Sequence, residues 1–290
     1  MQSELTKCLC GVSDEGARNL NSQIHLHREL GWQLIELRSV DGVRVADLPA
    51  EQVKRIAAAL EENGLRVAAI CTGMGGWDRT IRTPFQRDLD ELDRSIACAH
   101  TLGTRFLRIM SFPNDGLSPE AWRAESLQRI ATLVDVARRS DVVLLHENCQ
   151  GWASQGPDET LDMLRQINSP HLRLLFDTGN PVAYGQNSLS FIHAVAKWVQ
   201  HVHVKDAVRL EGGEINYTLP GHGQAQVALC VDALFRWGYQ GAFSIEPHCA
   251  FIPHLNVNSD AVTQRNSYLS YARHFHTLMD DVVNPQRNLL

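Results

Sequence analysis

Strand-like and helix-like segments alternate along the whole chain of 290 residues. The strand-like segments are short apolar runs, and the segments between them place apolar residues at the spacing of an amphipathic helix. Strict alternation of this kind is typical of parallel strands joined by right-handed helical crossovers. Eight such units predict a (β/α)8 TIM barrel, a fold in which about 250 residues is common. The predicted strands are residues 7–12, 33–38, 66–71, 105–110, 142–147, 172–177, 200–204 and 242–246.

The segments between the strands have recognisable helix ends. Residues 50–62 stop at Asn63-Gly64, a common helix end, and another helix opens at Pro157 with acids in its first turn. Further helices are predicted at residues 85–102, 120–139, 227–237 and 262–278. A doubly wound open sheet is the alternative fold, but residues 11–19 lack the glycine-rich phosphate loop that usually follows its first strand.

No linker or change of composition divides the chain. We therefore predict one domain over residues 1–290, ending in a frayed polar tail at residues 284–290. The net charge of −6 argues against a protein that binds nucleic acid. No apolar stretch approaches the roughly 18 residues that span a membrane, and no secretion signal is recognisable. The 7 cysteines lack zinc-type spacing, which favours free thiols and a cytoplasmic location.

Four residues able to bind a metal end the last four predicted strands: Glu147, Asp177, His203 and Glu246. In a barrel of this kind the carboxyl ends of the strands form the active site, and consecutive strands are neighbours around the ring. Each residue taken alone could be a helix cap or a surface residue. Carboxylates rarely end an apolar strand without a partner, however, so the set of four predicts a metal site.

The predicted ligand set indicates both an ion and a reaction. Three carboxylates and one imidazole favour one divalent ion, Mn²⁺ first, with Mg²⁺, Co²⁺ or Zn²⁺ as alternatives. An ion that chelates the carbonyl and adjacent hydroxyl of a ketose would acidify the neighbouring C–H bond and stabilise an enediolate. Glu147 and Glu246 would then act as base and acid in an isomerisation or epimerisation. Expulsion of a β-hydroxyl by the same groups would make the protein a dehydratase.

These motifs resemble the sugar isomerase/epimerase superfamily of xylose-isomerase-like TIM barrels. The ketose 3-epimerases and the sugar-phosphate isomerases and epimerases are the most similar groups, with inosose isomerases and dehydratases nearby. The resemblance spans all eight units and is strongest over residues 147–248. It implies that Glu147, Asp177, His203 and Glu246 hold the metal and that the two glutamates are the acid and base. It also implies a small-molecule sugar substrate and is compatible with a homo-oligomer.

The same resemblance indicates residues that contact the substrate. His203 is preferred to His201 as the ligand, because the family pattern continues with a branched residue and a polar pair. Arg209 stands six positions later, where ketose 3-epimerases carry an arginine that contacts substrate hydroxyls. Asn180 stands where those epimerases have a histidine, which leaves the identity of the sugar open. His222 lies in the loop LPGHGQ, which matches a family loop.

Further polar residues are predicted at or near the strand ends. Arg108, Lys205 and His248 are predicted to contact substrate, and the structural alternatives are an internal ion pair, a rim salt bridge and support of a ligand. Glu36 and Arg38 share one strand face, either as a buried pair or as a substrate clamp. His146 should point the other way from Glu147, toward the helices, as a core histidine.

Two other classes of protein compete with the isomerase. An endonuclease of the same barrel superfamily would assemble three zinc ions, but the chain has no histidine at position 180 and no Asp-x-His after His203. A barrel that binds without catalysis is the second alternative, and the complete set of four ligands argues against it.

Overall fold

The computed structural model describes residues 7–252, 255 and 257–283, so the predicted tail at residues 284–290 lies outside the described residues. Eight parallel strands form a barrel, and consecutive strands are neighbours around it. The first and last strands pair in parallel, and a bridge between Val12 and Glu36 joins the first strand to the second. The predicted (β/α)8 TIM barrel is confirmed. The strands are β1 Leu9–Gly11, β2 Leu34–Leu37, β3 Arg66–Cys71, β4 Phe106–Ser111, β5 Val143–Gly151, β6 Leu172–Asp177, β7 Val199–Val204 and β8 Ala242–Ile245.

Eight helices of eight residues or more surround the strands in the described part of the chain. Two of them, α1 and α6, fall where the sequence analysis set no helix bounds. Strand β5 also runs past its predicted end at Glu147 as far as Gly151. The helices are α1 Leu20–Glu29, α2 Ala50–Glu62, α3 Gln86–Leu102, α4 Pro119–Arg139, α5 Pro157–Ile167, α6 Ser188–Val195, α7 Val227–Arg236 and α8 Ala261–Val283.

Local sequence explains where these helices begin and end. The side chain of Ser118 accepts a hydrogen bond from the backbone N–H of Ala121, and Pro119 occupies the first turn of α4. Helix α3 ends at Gly103, whose φ of 70° is a left-handed conformation that glycine adopts without strain. Within the described residues, no helix is long and apolar enough to cross a membrane.

The barrel has two apolar layers. The larger lies between strands and helices and includes Leu144 and Leu174. The smaller fills the lower interior of the barrel with Ala69, Val143, Leu145 and Leu175. Because side chains alternate across a strand, the inward series of β5 continues from Leu145 to Glu147, so the apolar filling gives way to polar groups at the carboxyl end.

Short hairpins follow three of the strands at that end. They pair Ser39–Val40 with Val43–Arg44 after β2, Asp206–Arg209 with Ile215–Thr218 after β7, and Phe251–Ile252 with Val257–Asn258 after β8. Residues from all three hairpins line a cavity of about 810 Å³ above the strand ends. The fold therefore places one large cavity over the polar end of the barrel.

Candidate active site

The structure brings the four predicted ligands together. One ligand atom from each of Glu147, Asp177, His203 and Glu246 lies within 4.8 Å of the others, and all four side chains are buried. The Nδ1 atom of His203 is the centre of the group, 3.5 Å from Glu147 Oε1, 3.4 Å from Glu246 Oε2 and 4.0 Å from Asp177 Oδ2. Strand register explains part of this, because Asp177 on β6 lies directly beside His203 on β7.

The buried atoms of this cluster fit a cation. His203 Nδ1, Asp177 Oδ2 and Glu246 Oε2 are buried without a hydrogen-bond partner among the described residues. Buried polar atoms are rarely left in this state, since each costs about 1–3 kcal/mol. Oxygen and imidazole donors within a few ångströms are the set that a borderline or hard divalent ion prefers. The residues present therefore fit a divalent metal.

An arginine anchors each of the two glutamates. Arg108 Nη1 lies 2.8 Å from Glu147 Oε2, and Arg38 Nη1 lies 3.2 Å from Glu246 Oε1. In each case one carboxylate oxygen is held by the guanidinium while the other faces His203. The two carboxylates, on β5 and just after β8, thus approach the centre from the two ends of the four-strand arc.

The far side of His203 is held by a carboxylate inside the barrel. Glu36 Oε1 lies 3.0 Å from His203 Nε2, and Glu36 Oε2 lies 2.8 Å from His201 Nε2. The Cys71 thiol donates to Glu36 Oε1 as well. A bond from Nε2–H to Glu36 orients the ring so that Nδ1 faces the cluster, the second contact that metal-bound histidines usually make. His201 contacts Glu36 and lies outside the group of four.

Lys205 is the cation nearest to the cluster. Its ammonium nitrogen lies 2.9 Å from Asp177 Oδ2 and 2.5 Å from Glu246 Oε2, as ion pairs without hydrogen-bond geometry. It also donates to the side-chain oxygen of Asn180 at 3.3 Å, and Asn180 Nδ2 donates to Glu147 Oε1 at 3.2 Å. Lys205 and Asn180 therefore connect the ligands from above.

Neighbouring charges decide the protonation of these buried groups. Burial would raise the pKa of Glu147, but the charge of Arg108 and the nearby imidazole of His203 outweigh it and lower that pKa to about 2. Burial disfavours the cation of His203, yet Glu36 and Glu246 raise its pKa well above the ordinary value. Without a metal His203 is therefore protonated, and an ion would have to displace that proton.

The cavity above the cluster has a polar floor and an aromatic mouth. Arg108, Lys205, Asn180 and His248 line it together with Glu147 and Glu246. The aromatic residues in its wall are Trp77, Tyr184, Tyr217 and Phe251. Planar apolar faces of this kind pack against the C–H face of a sugar ring.

Two residues from the sequence analysis stand apart from this cavity. Arg209 is exposed at the end of its hairpin strand, and His222 is exposed with its ring packed against His274 on α8. Neither lines the cavity. His248 does, but its ring nitrogen contacts Glu15 Oε1 at 2.9 Å, so it supports the rim as well as facing it.

The sequence analysis did not assign the roles of several residues around the site. Asp14 and Glu15 contact Arg38 at 2.9 and 3.3 Å, and Tyr184 and Tyr217 form part of the cavity wall. The two acids come shortly after β1 ends at Gly11, and in a barrel this position could have indicated that they lie near the site. The tyrosines sit in loops and a hairpin, where no periodicity indicates which way a side chain points.

Comparison with known proteins places this fold and cluster in a family. The family model described as xylose isomerase-like TIM barrel matches residues 24–265. The chain belongs to this family. A similar fold is seen in a crystal structure of the IOLI protein with a zinc atom, with a TM-score of 0.73 and 17% identity over 96% of this chain and 98% of that one.

The curated relatives of this xylose isomerase-like barrel are enzymes of two kinds. The D-psicose 3-epimerase of Enterocloster bolteae is 28% identical over 128 residues, which cover 43% of this chain and 40% of the relative. The inosose dehydratase of Geobacillus thermodenitrificans is 26% identical over 129 residues, covering 39% of this chain and 43% of the relative. The match thus spans less than half the length of either relative.

Proposed function

We propose that this protein is a divalent-metal-dependent isomerase or epimerase that acts on a sugar or sugar derivative by proton transfer. The observation that carries the proposal is the pair of buried glutamates, Glu147 and Glu246. Each has one oxygen anchored by an arginine and the other facing His203 Nδ1, at 3.5 and 3.4 Å. This arrangement leaves two ionised carboxylates at one point beneath a cavity large enough for a sugar.

The residues divide the work of proton transfer. Glu147, Asp177, His203 and Glu246 would hold the ion, which when bound acidifies the C–H bond beside a ketose carbonyl. One glutamate then accepts the proton from that carbon, and the other returns a proton to the neighbouring carbon or to the opposite face. The charge of Arg108 lowers the pKa of Glu147, and the charges of Lys205, His248 and His203 lower that of Glu246, so both carboxylates stay ionised at neutral pH despite their burial.

Lys205 and Asn180 would orient the substrate over these two bases. Both line the cavity and both contact a ligand carboxylate, so hydroxyl groups placed there can donate to Asn180 Oδ1 or accept from Lys205. Arg108 and His248 complete the polar floor, and the aromatic wall covers the apolar face of the sugar. We do not include Arg209 and His222, because they lie outside the cavity.

A dehydratase acting on a keto-inositol or keto-sugar is the second candidate. Similarity to inosose dehydratases favours it, and so does the Lys205 ammonium, which lies between two ligands where it could protonate a leaving hydroxyl. Both candidates begin with the same proton abstraction. They differ in whether the intermediate is reprotonated or loses water.

Proton exchange in D₂O separates these candidates. The protein is loaded with Mg²⁺ and incubated with a panel of ketoses and keto-inositols, and products are followed by NMR. An isomerase should incorporate solvent deuterium at a carbon beside the carbonyl and give a product that has lost no water. A dehydratase should show the same exchange together with loss of water from the sugar. Absence of exchange with every member of the panel would contradict both proposals.

The remaining assignments follow from the same reasoning. Three carboxylates and one imidazole favour Mn²⁺ as the working ion, and metal analysis of the purified protein tests this. All seven cysteines are free thiols, five of them buried, which supports a cytoplasmic location. A single domain over the whole chain remains a prediction, and so does a homo-oligomer, which size-exclusion chromatography with light scattering can test.

A further inference from the structure

The cations that line the cavity are already paired with carboxylates. Arg38 lies 2.9 Å from Asp14 and also contacts Glu15 and Glu246, while Arg108 contacts Glu147. Lys205 contacts Asp177 and Glu246. At the rim, Arg44 lies 3.4 Å from Asp78 and 3.9 Å from Glu91. Among the described residues that line the cavity, no lysine or arginine is left over to receive an anion.

Acids outnumber cations in the buried network around the candidate metal site. Three cations, Arg38, Arg108 and Lys205, face six carboxylates: Asp14, Glu15, Glu36, Glu147, Asp177 and Glu246. A divalent ion would cancel two of the three surplus negative charges and leave one when the three histidines that contact these carboxylates, His201, His203 and His248, are neutral. A phosphate ester, which carries about −1.5 to −2 charges, would then meet repulsion rather than attraction.

The loop where TIM barrels often bind phosphate holds an internal carboxylate instead. That site is usually built from backbone N–H groups after the seventh and eighth strands. Here Asp206, directly after β7, accepts from the N–H groups of Gly221 at 2.8 Å, Gly223 at 2.9 Å and Ala225 at 3.0 Å. The chain packs so closely there that a Cβ at Gly223 would lie 2.2 Å from Asp206 Oδ1.

In the loop after β8, a carboxylate of the protein again occupies a backbone N–H group that could bind an anion. The backbone N–H of His248 donates to Glu15 Oε2 at 2.9 Å, and the His248 ring contacts Glu15 Oε1. Carboxylates thus occupy the anion-binding groups of both loops, and removing either would leave buried N–H groups without partners.

We propose that the substrate of this site is an uncharged, unphosphorylated ketose or keto-polyol. This inference rests on the proposed function and narrows it: hydroxyl groups can share hydrogen bonds with groups that are already ion-paired, whereas a phosphate needs unpaired cations or free N–H groups. The aromatic wall of Tyr184 and Tyr217 suits the apolar face of such a sugar.

Matched pairs of sugars test the proposal. D-fructose with D-fructose 6-phosphate, and D-xylulose with its 5-phosphate, are compared as substrates for deuterium exchange, with Mg²⁺ in excess over phosphate. We expect each free ketose that exchanges to do so at least tenfold faster than its ester, and millimolar inorganic phosphate not to inhibit. Faster exchange of an ester would overturn the inference while leaving the proposed function standing.

Calorimetric titration of the Mg²⁺-loaded protein gives a readout that does not depend on turnover. If no ketose exchanges, the proposed function fails, yet tighter binding of the free sugar than of its ester would still support an uncharged ligand. Tighter binding of the ester, or no binding of either member of any pair, would overturn the inference.

A rim variant tests the electrostatic argument directly. Asp78 is exposed and pairs with Arg44 and Arg87, so Asp78→Asn removes a negative charge from the cavity mouth and leaves Arg44 only its longer contact with Glu91. We expect the affinity of the ester relative to its free sugar to rise about threefold, the size of an exposed charge interaction. Asp141→Asn makes the same change at an exposed pair with Arg105, beside the start of β5 at the opposite end of the barrel. Equal ratios in the two variants would contradict the argument.

Discussion

Two consecutive residues of β5 enter opposite regions of the molecule. Glu147 points into the upper barrel, where Arg108 and Asn180 bond its two oxygens. His146 points outward beside Ile109 and Leu174, and neither of its ring nitrogens has a hydrogen-bond partner among the described residues. Both side chains are almost wholly buried, at 1% and 0% exposure. Burial alone therefore does not determine whether a side chain is ionised, because the groups that surround it also matter.

The outcome for the two residues is opposite. Glu147 stays ionised because the charge of Arg108 outweighs the cost of burial. His146 stays neutral because burial lowers its pKa to about 4, with only a weak opposing contribution from Glu147. In the upper barrel, neighbouring charges thus keep Glu147 ionised. In the apolar layer between strands and helices, His146 is neutral and contributes to packing.

The largest effect is expected from the two glutamates of the upper barrel. Glu147→Gln and Glu246→Gln should each abolish turnover, with a loss of about 1,000-fold or more, because each removes a base and a ligand. Circular dichroism should show an unchanged fold, since glutamine can still bond to the arginine. Glu120→Gln, exposed on α4, is the matched control. Retained activity in either variant would contradict the two-base mechanism.

The buried, neutral His146 of the outer layer should affect how the unfolding free energy depends on pH. The pKa of His146 is about 4 in the folded protein and 6.5 as a free side chain, so the unfolded chain binds the proton first. The contribution of His146 to the unfolding free energy is therefore constant above pH 6.5. Between pH 6.5 and pH 4 it lowers the unfolding free energy by about 3 kcal/mol.

Urea denaturation at several pH values can isolate this contribution. His146→Leu should flatten the decline in unfolding free energy between pH 6.5 and 4. His25→Leu makes the same change at an exposed position and should leave the decline as it is in the wild type. Identical slopes in the wild type and His146→Leu would show that His146 is not held neutral.

The carboxylate behind His203 should matter for metal affinity. Glu36→Gln keeps the shape of the side chain but weakens its hold on the imidazole, and we expect about 10- to 100-fold weaker binding of Co²⁺, followed by its absorption spectrum. Turnover at saturating metal should fall less than affinity. An unchanged dissociation constant would mean that Glu36 only fills the barrel.

Lys205 should show the smallest and most diagnostic effect. Its ammonium competes with an ion for Asp177 Oδ2 and Glu246 Oε2, so Lys205→Met should bind metal about tenfold more tightly, or about 1.4 kcal/mol, while turning over more slowly. Calorimetry measures the first change and exchange kinetics the second. Weaker metal binding would indicate that Lys205 serves mainly to position the acids.

Sequence pattern was sufficient for the scaffold and the four residues that face its centre. Alternating apolar runs specify parallel strands, and the last polar residue of each strand must lie at the carboxyl end of the barrel. Glu147, Asp177, His203 and Glu246 could be selected in this way because each directly ends a run. The same pattern did not provide bounds for helices α1 and α6.

The partners of those four residues depend on the closed barrel. Arg38 meets Glu246 from 208 positions away, and Glu36 meets His203 from 167 positions away. The register of β2 against β3 shifts between Ile35 and Glu36. The simple alternation of side chains along the strand therefore does not determine the height at which Glu36 enters the barrel. Asp206 likewise fills its loop only because the chain returns to it at Gly221 and Gly223.

The amino-acid sequence by itself determined that this chain is an eight-stranded barrel with acids and a histidine at its strand ends, because alternation and burial are local properties. The tertiary structure alone decided which cations neutralise which carboxylates, since ion pairing depends on distances between segments far apart in the chain. The surplus of negative charge beside the cavity follows from that pairing. Our proposal that the substrate is uncharged depends on this surplus.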